Sequence, residues 1–138
     1  MNVSDTELIK AAEEAMKKAY APYSGFFVGA ALVAEDENGK AAVFTGCNIE
    51  NASFSPTICA ERAAIADAVK NGYRHIRKIA VCGGKNGKIT DFCPPCGVCR
   101  QVLAEFGASD TEIILWSVSE TKTYTLEELL PLSFNLKK

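Results

Sequence analysis

Phe27-Val28-Gly29-Ala30-Ala31-Leu32-Val33-Ala34 carries no polar side chain on either of its alternating faces. Successive strand residues point to opposite sides of a sheet, so a strand written this way is expected to be buried on both. Cover on each face of the sheet predicts three layers. Just downstream, residues 36–40 hold Asn38-Gly39, a hairpin signal, and residues 42–48 return as a second strand. Upstream, Leu8, Ile9, Ala12, Ala15, Met16 and Ala19 have helical spacing, with Ser4 as cap and Glu7 completing a capping box. The run Ala21-Pro22-Tyr23-Ser24-Gly25 separates that helix from the strand.

Further on, residues 61–70 form an Ala-rich helix that stops near Asn71-Gly72. Residues 76–82 read as a third strand, residues 83–91 as a polar loop, and residues 96–106 as a helix ended by Gly107. Residues 111–116 make a fourth strand and 122–124 a short fifth; Thr125 caps a last helix before Pro131. This order predicts the α/β class: a three-layer α/β/α arrangement with a mixed, roughly five-stranded sheet covered by helices on both faces.

The length of 138 residues, 48% of them apolar, suits one domain over 1–138. A formal net charge of -2 leaves no basic stripe for a nucleic-acid backbone. No apolar run approaches the roughly 18 residues of a membrane span. Residues 1–16 are polar and acidic and lack the apolar core of a signal peptide, so a cytoplasmic location is expected. In that compartment six cysteines point to metal binding or catalysis before disulfides.

Two segments carry chemistry: Cys59-Ala60-Glu61 and Pro95-Cys96-Gly97-Val98-Cys99. Cys96 and Cys99 lie three apart in the first turn of a helix, and Cys59 stands at another helix start. Free N–H groups and the helix dipole there favour the thiolates that zinc requires. Three sulfurs without a matched fourth ligand describe a catalytic zinc site, in which one position stays open to water. Glu61 beside it is a candidate proton carrier; its plainer reading is a first-turn acid that complements the dipole. Three thiolates leave the zinc site net negative. Arg62, three residues beyond Cys59, is placed to donate hydrogen bonds to the ligand sulfurs, unless it is an ordinary solvated charge.

Other readings of the cysteines stay open. Cys93-Pro94-Pro95-Cys96 has the spacing of a redox pair, which would leave Cys59, Glu61 and Cys99 unexplained. Cys93 is otherwise a free thiol near the site. Cys47 and Cys82 read as small buried hydrophobes, and His75 as a surface residue in a charged stretch.

The chain resembles the small cytidine deaminases that act on free nucleosides. The resemblance is carried by Tyr23-Ser24 with Phe26, by residues 28–32, by Gly46-Cys47-Asn48-Ile49-Glu50-Asn51-Ala52-Ser53, by residues 59–64 and by residues 95–103. Zinc nucleobase deaminases combine three His/Cys ligands with a proton-carrying Glu and a P-C-x-x-C segment. The resemblance implies one Zn²⁺ per chain on Cys59, Cys96 and Cys99, and hydrolytic attack at C4 with Glu61 as proton shuttle. It implies that Asn48 and Glu50, two apart at a strand end and so facing the same way, hydrogen-bond the sugar hydroxyls. Phe26 would form an aromatic wall, and backbone groups around Ala60 and the Cys96 turn would position the amine and O2. Phe134 would reach the base pocket of a neighbouring subunit, so a homotetramer is expected. The implied reaction converts free cytidine and deoxycytidine to uridine and deoxyuridine in pyrimidine salvage, with no nucleic-acid or membrane partner. Two alternatives are a deaminase of a related cytosine nucleoside such as blasticidin S and a non-catalytic structural zinc module. Phe27, Phe54 and Cys93 depart from the family's pattern and bear mainly on the oligomer.

Overall fold

The computed structural model describes residues 3–136. Helix α1 (Asp5–Met16) opens with the expected capping box: the Ser4 hydroxyl accepts from the Glu7 N–H, and the Glu7 carboxylate accepts from the Ser4 N–H. Then come β1 (Phe26–Glu35), β2 (Ala41–Cys47), α2 (Ala60–Lys70), β3 (His75–Lys85), α3 (Gly97–Phe106), β4 (Glu112–Trp116), β5 (Thr121–Thr125) and α4 (Leu126–Leu129). The strands form one sheet in the order β2-β1-β3-β4-β5. The β3–β4 pair is parallel, with α3 in its crossover, and the other three pairs are antiparallel.

The double-sided burial of β1 is observed. Ala30, Leu32 and Ala34 join Ile79, Val81, Ile113 and Leu115 on the face covered by α2 and α3. Ala31 and Val33 join Ala80, Cys82, Ile114 and Trp116 on the face covered by Leu8, Ala12 and Met16 of α1. Two close approaches seat the helices. A Cβ on Gly29 would stand 2.1 Å from the Ala12 carbonyl oxygen, and one on Gly46 would stand 2.5 Å from Ala60 O and Ala64 N. Glycine at these positions lets α1 and α2 lie directly on the strands. Among the described residues no helix is long and apolar enough to cross a membrane.

Two local expectations differ from the structure. β3 runs on through Gly83 and Gly84 to Lys85, where the sequence reads as polar loop. The cause is tertiary: Phe26, Phe27 and Val28 of β1 pair with Lys85, Gly84 and Gly83 and extend the ladder. Cys47 is only half-buried at the end of an edge strand, with its thiol directed to the Lys18 carbonyl. Cys82 is fully buried and His75 exposed, as expected.

The site follows from this layout. The chain leaves β2 and enters α2 at Cys59; it leaves β3 and enters α3 at Cys96. Because α2 and α3 cover the same face of the sheet, their amino-terminal ends come together.

Candidate active site

Cys59 and Cys96 are the N-cap residues of α2 and α3, both with extended backbone and neither capping its own helix with its side chain. Cys99 sits one turn into α3. The three sulfurs lie within 4.8 Å of one another, and Cys59 Sγ is 4.0 Å from Cys96 Sγ. Zinc–sulfur bonds of 2.3 Å in a tetrahedron put sulfurs about 3.8 Å apart. The cluster therefore needs only a slight contraction to grip one ion. Among the described residues no other group of three metal-binding side chains forms, and Cys93 does not belong to this one. A closed site of four thiols is thus not assembled.

Exposure grades across the cluster: Cys99 is buried, Cys59 half-buried and Cys96 exposed. Burial pushes the Cys99 thiol up, helped by the charges of Glu61 and Cys59. Burial acts the same way on Cys96. There the N–H groups of Cys99 and Val98, with hydrogen bonds from the Cys99 and Cys59 thiols, outweigh it and hold Cys96 below an ordinary thiol. A divalent cation held among the three sulfurs would supply the charge that ionises them all.

Arg62 donates from Nη2 to Cys59 Sγ at 3.4 Å and to the Thr57 carbonyl at 3.3 Å. Its side chain is turned to the cluster rather than to solvent. Glu61, one residue earlier, is only 4% exposed. Burial raises its carboxyl above the ordinary range, against the opposing pull of its own backbone N–H and the Arg62 charge.

A cleft of about 180 Å³ opens beside the cluster, lined by Val28, Asn48, Thr57, Ile58, Cys59, Ala60, Glu61, Cys93, Pro94 and Cys96. It brings together five of the residues expected at the site: Asn48, Cys59, Ala60, Glu61 and Cys96. A larger hollow of about 520 Å³ lies between α3 and the 126–135 segment and contains no thiol. Val28 and Pro94, quoted above only as parts of motifs, line the cleft as well, as do Thr57 and Ile58, whose one signal is that they directly precede Cys59. Burial pushes the Cys93 thiol up to about 12, helped by Glu61 and Cys59, so it meets the cleft as a neutral group.

Phe26, Glu50 and Phe134 lie outside the cleft lining. Asn48 and Glu50 stand beyond the end of β2, yet both turn to the same stretch of chain. Asn48 accepts from the Val28 N–H and donates to the Phe26 carbonyl, both at 2.9 Å. Glu50 Oε1 accepts from the N–H groups of Tyr23 and Ser24, each at 3.1 Å. Phe26 is held at the rim: a Cβ on Gly83 would meet its ring at 3.0 Å and the Cys93 sulfur at 2.9 Å. Phe134 is exposed, its carbonyl accepting from Gln101 Nε2 on α3 at 3.0 Å.

A three-layer α/β/α fold with three thiols and a buried carboxylate at paired helix starts defines a zinc-site protein. Residues 2–115 match the family model described as the cytidine and deoxycytidylate deaminase zinc-binding region. A cytidine deaminase of Sporosarcina psychrophila is 41% identical over 130 residues, 94% of this chain and 90% of that protein. Another, from Halalkalibacterium halodurans, is 44% identical over 128 residues, 92% of this chain and 91% of that protein. The crystal structure of cytidine deaminase from Burkholderia pseudomallei superposes with a TM-score of 0.83 at 43% identity, covering 96% of this chain and all of that one. The chain belongs to the cytidine and deoxycytidylate deaminase zinc-binding family.

Proposed function

We propose that this protein hydrolytically deaminates free cytidine and deoxycytidine, releasing ammonia and leaving uridine or deoxyuridine. The observation that carries the reading is the meeting of Cys59, Cys96 and Cys99, within 4.8 Å, beside a buried Glu61 in an open cleft. Family membership and relatives named as cytidine deaminases support it.

Cys59, Cys96 and Cys99 would hold one Zn²⁺. The bound ion supplies a Lewis acid and lowers the pKa of a coordinated water, the source of the incoming oxygen. Glu61 moves the protons: it takes one from the water and places it on N3 of the pyrimidine, then takes the second from the oxygen newly joined to C4 and delivers it to the departing amine as the C4 carbonyl forms. Its raised affinity for a proton, a consequence of burial, suits a group that must carry one near neutral pH. Arg62 offsets the negative charge of the sulfurs through its bond to Cys59. Backbone groups at Ala60 and at the start of α3 orient the amine and O2. Asn48 and Glu50 read the sugar hydroxyls; Glu50 is held below the ordinary carboxyl range, chiefly by the Ser24 hydroxyl, so it meets them as an acceptor.

The protein acts as a single domain and as a homotetramer in the cytoplasm. Exposed aromatic side chains at Tyr23, Phe54 and Phe134 support self-association, with Phe134 contributed to a neighbouring base pocket. The test is purified protein assayed for loss of cytidine ultraviolet absorbance, with zinc measured per chain. Turnover of cytidine and deoxycytidine by protein with one zinc per chain is expected. Zinc-loaded protein that deaminates neither overturns the reading.

A further inference from the structure

Ser24 lies in a sharp turn that the cleft does not touch, yet its hydroxyl joins two residues assigned to the nucleoside. Ser24 Oγ donates to Glu50 Oε2 and accepts from the Phe26 N–H at 3.0 Å. The Ser24 and Tyr23 N–H groups occupy the other oxygen of Glu50. On the far side of Phe26, its carbonyl accepts from Asn48. One chain of hydrogen bonds therefore runs Glu50–Ser24–Phe26–Asn48. The turn itself is held from outside: Lys85 Nζ donates to the Ser24 carbonyl at 2.6 Å, and Gly25 adopts a φ of +69°.

A carboxylate offers about four acceptor directions. Three of those on Glu50 are filled by this turn, leaving one on Oε2. An unrestrained carboxylate on the surface samples many rotamers and presents that direction to no fixed point in space. The Ser24 hydroxyl bond, added to the two backbone bonds, holds both oxygens at once.

We propose that Ser24 is a positioning residue: it aims the one free acceptor of Glu50 at a sugar hydroxyl and keeps Glu50 in register with the Phe26 wall. The assignment rests on the nucleoside reading above and adds to it a residue that touches neither zinc nor substrate. Loss of the hydroxyl weakens recognition of the sugar and leaves proton transfer at Glu61 in place. The loss is carried by KM, and it is seen only with substrates whose sugar has a hydroxyl for Glu50 to accept.

The experiment compares wild type, Ser24→Ala and Ser24→Thr on cytidine and on 2′,3′-dideoxycytidine, with zinc content and thermal unfolding as checks on the fold. For Ser24→Ala, kcat/KM for cytidine is expected to fall about tenfold, the scale of one hydrogen bond to a charged group, mostly through KM. The fall on dideoxycytidine is expected to stay within about twofold, and Ser24→Thr is expected to recover most of the cytidine loss. Equal falls on both substrates, or a fall confined to kcat, overturn the assignment, because a general loosening of the fold would act that way. Unchanged cytidine kinetics in Ser24→Ala also overturn it while leaving the deaminase reading intact. A zinc-loaded wild type that turns over neither substrate overturns the deaminase reading, and the role of Ser24 falls with it. Should Ser24→Ala fail to fold, Ser24→Thr and Ser24→Gly carry the same comparison.

Discussion

Arg62 Nη2 stands 3.4 Å from Cys59 Sγ, while its Nε is buried with no hydrogen-bond partner among the described residues. A buried guanidinium N–H left unpaired is costly. The side chain accepts that cost three residues from a thiol, the place where its charge would offset the surplus negative charge of three zinc-bound sulfurs. Arg62→Gln keeps much of the side chain's bulk and removes the charge. It is expected to lower zinc affinity or kcat/KM by about 10–100-fold, the usual scale for groups that support metal ligands. Zinc titration against a competing chelator and steady-state kinetics check it; wild-type values in both would count against charge compensation.

Glu61 and its amide counterpart differ by one proton-accepting oxygen and little in shape. Glu61→Gln is expected to keep zinc and uridine binding and to lose at least about 10²–10⁴-fold in kcat, the contribution of a general acid–base group. Calorimetry with uridine, zinc analysis and turnover on one preparation separate binding from proton transfer. Normal turnover in that variant would remove Glu61 from the mechanism.

Much of this site can be read from residue order, because each cysteine of the cluster belongs to a short pattern at a helix start, although Cys59 and Cys96 themselves lie 37 positions apart. Cys96 and Cys99 share one turn of α3, and Cys59 opens α2. The capping boxes of Ser4–Glu7 and Thr125–Glu128 are likewise short-range patterns. Long-range contacts are not legible that way. Glu50 reaches Ser24 across 26 positions and Asn48 reaches Val28 across 20, so neither partner is marked by spacing. Gly83 and Gly84 argue against a strand on propensity, and only pairing with β1 turns them into one. The bond from Ser24 to Glu50 is not legible for the same reason: Pro22 and Gly25 mark a turn but do not show what the Ser24 hydroxyl meets.

Gly46 fixes how closely α2 approaches β2. A methyl group there would stand 2.5 Å from Ala60 O and Ala64 N and 2.9 Å from the Ala63 Cβ. Two of those neighbours are backbone and cannot rotate away, so α2 must shift, and with it Cys59 and Glu61. Gly46→Ala is expected to destabilise the protein by about 1–3 kcal/mol and to reduce zinc occupancy together with it. Urea unfolding with zinc analysis measures both. A variant as stable as wild type would mean that the helix can slide without cost.

Phe134 is exposed in the single chain, and the segment carrying it is tied to α3 through its carbonyl and Gln101. If a neighbouring copy receives the ring, removal of residues 134–138 should raise KM for cytidine and leave kcat less affected. Kinetics of the truncated chain, run beside sedimentation to report the oligomer, test this. Unaltered KM in an intact oligomer would contradict a role for Phe134 in the pocket.

Thiol reactivity gives a readout of the cluster without catalysis. Alkylating agents attack the thiolate, so at a fixed pH a lowered pKa speeds reaction and a raised one slows it. Cys96 combines exposure with a pKa held below the ordinary value by helix N–H groups. Cys93 and Cys82 are each pushed up to about 12, which at pH 8 leaves roughly one molecule in ten thousand as thiolate. In metal-free protein iodoacetamide is therefore expected to label Cys96 first, with Cys99, Cys93 and Cys82 last. Raising the pH from 8 towards 10 should speed Cys93 nearly tenfold per unit while Cys96 levels off. Zinc should protect Cys96 and leave Cys82 unchanged, since Cys82 does not belong to the sulfur cluster. Peptide mass spectrometry follows each site separately, and a Cys96 labelled equally fast with and without zinc would remove it from the ligand set.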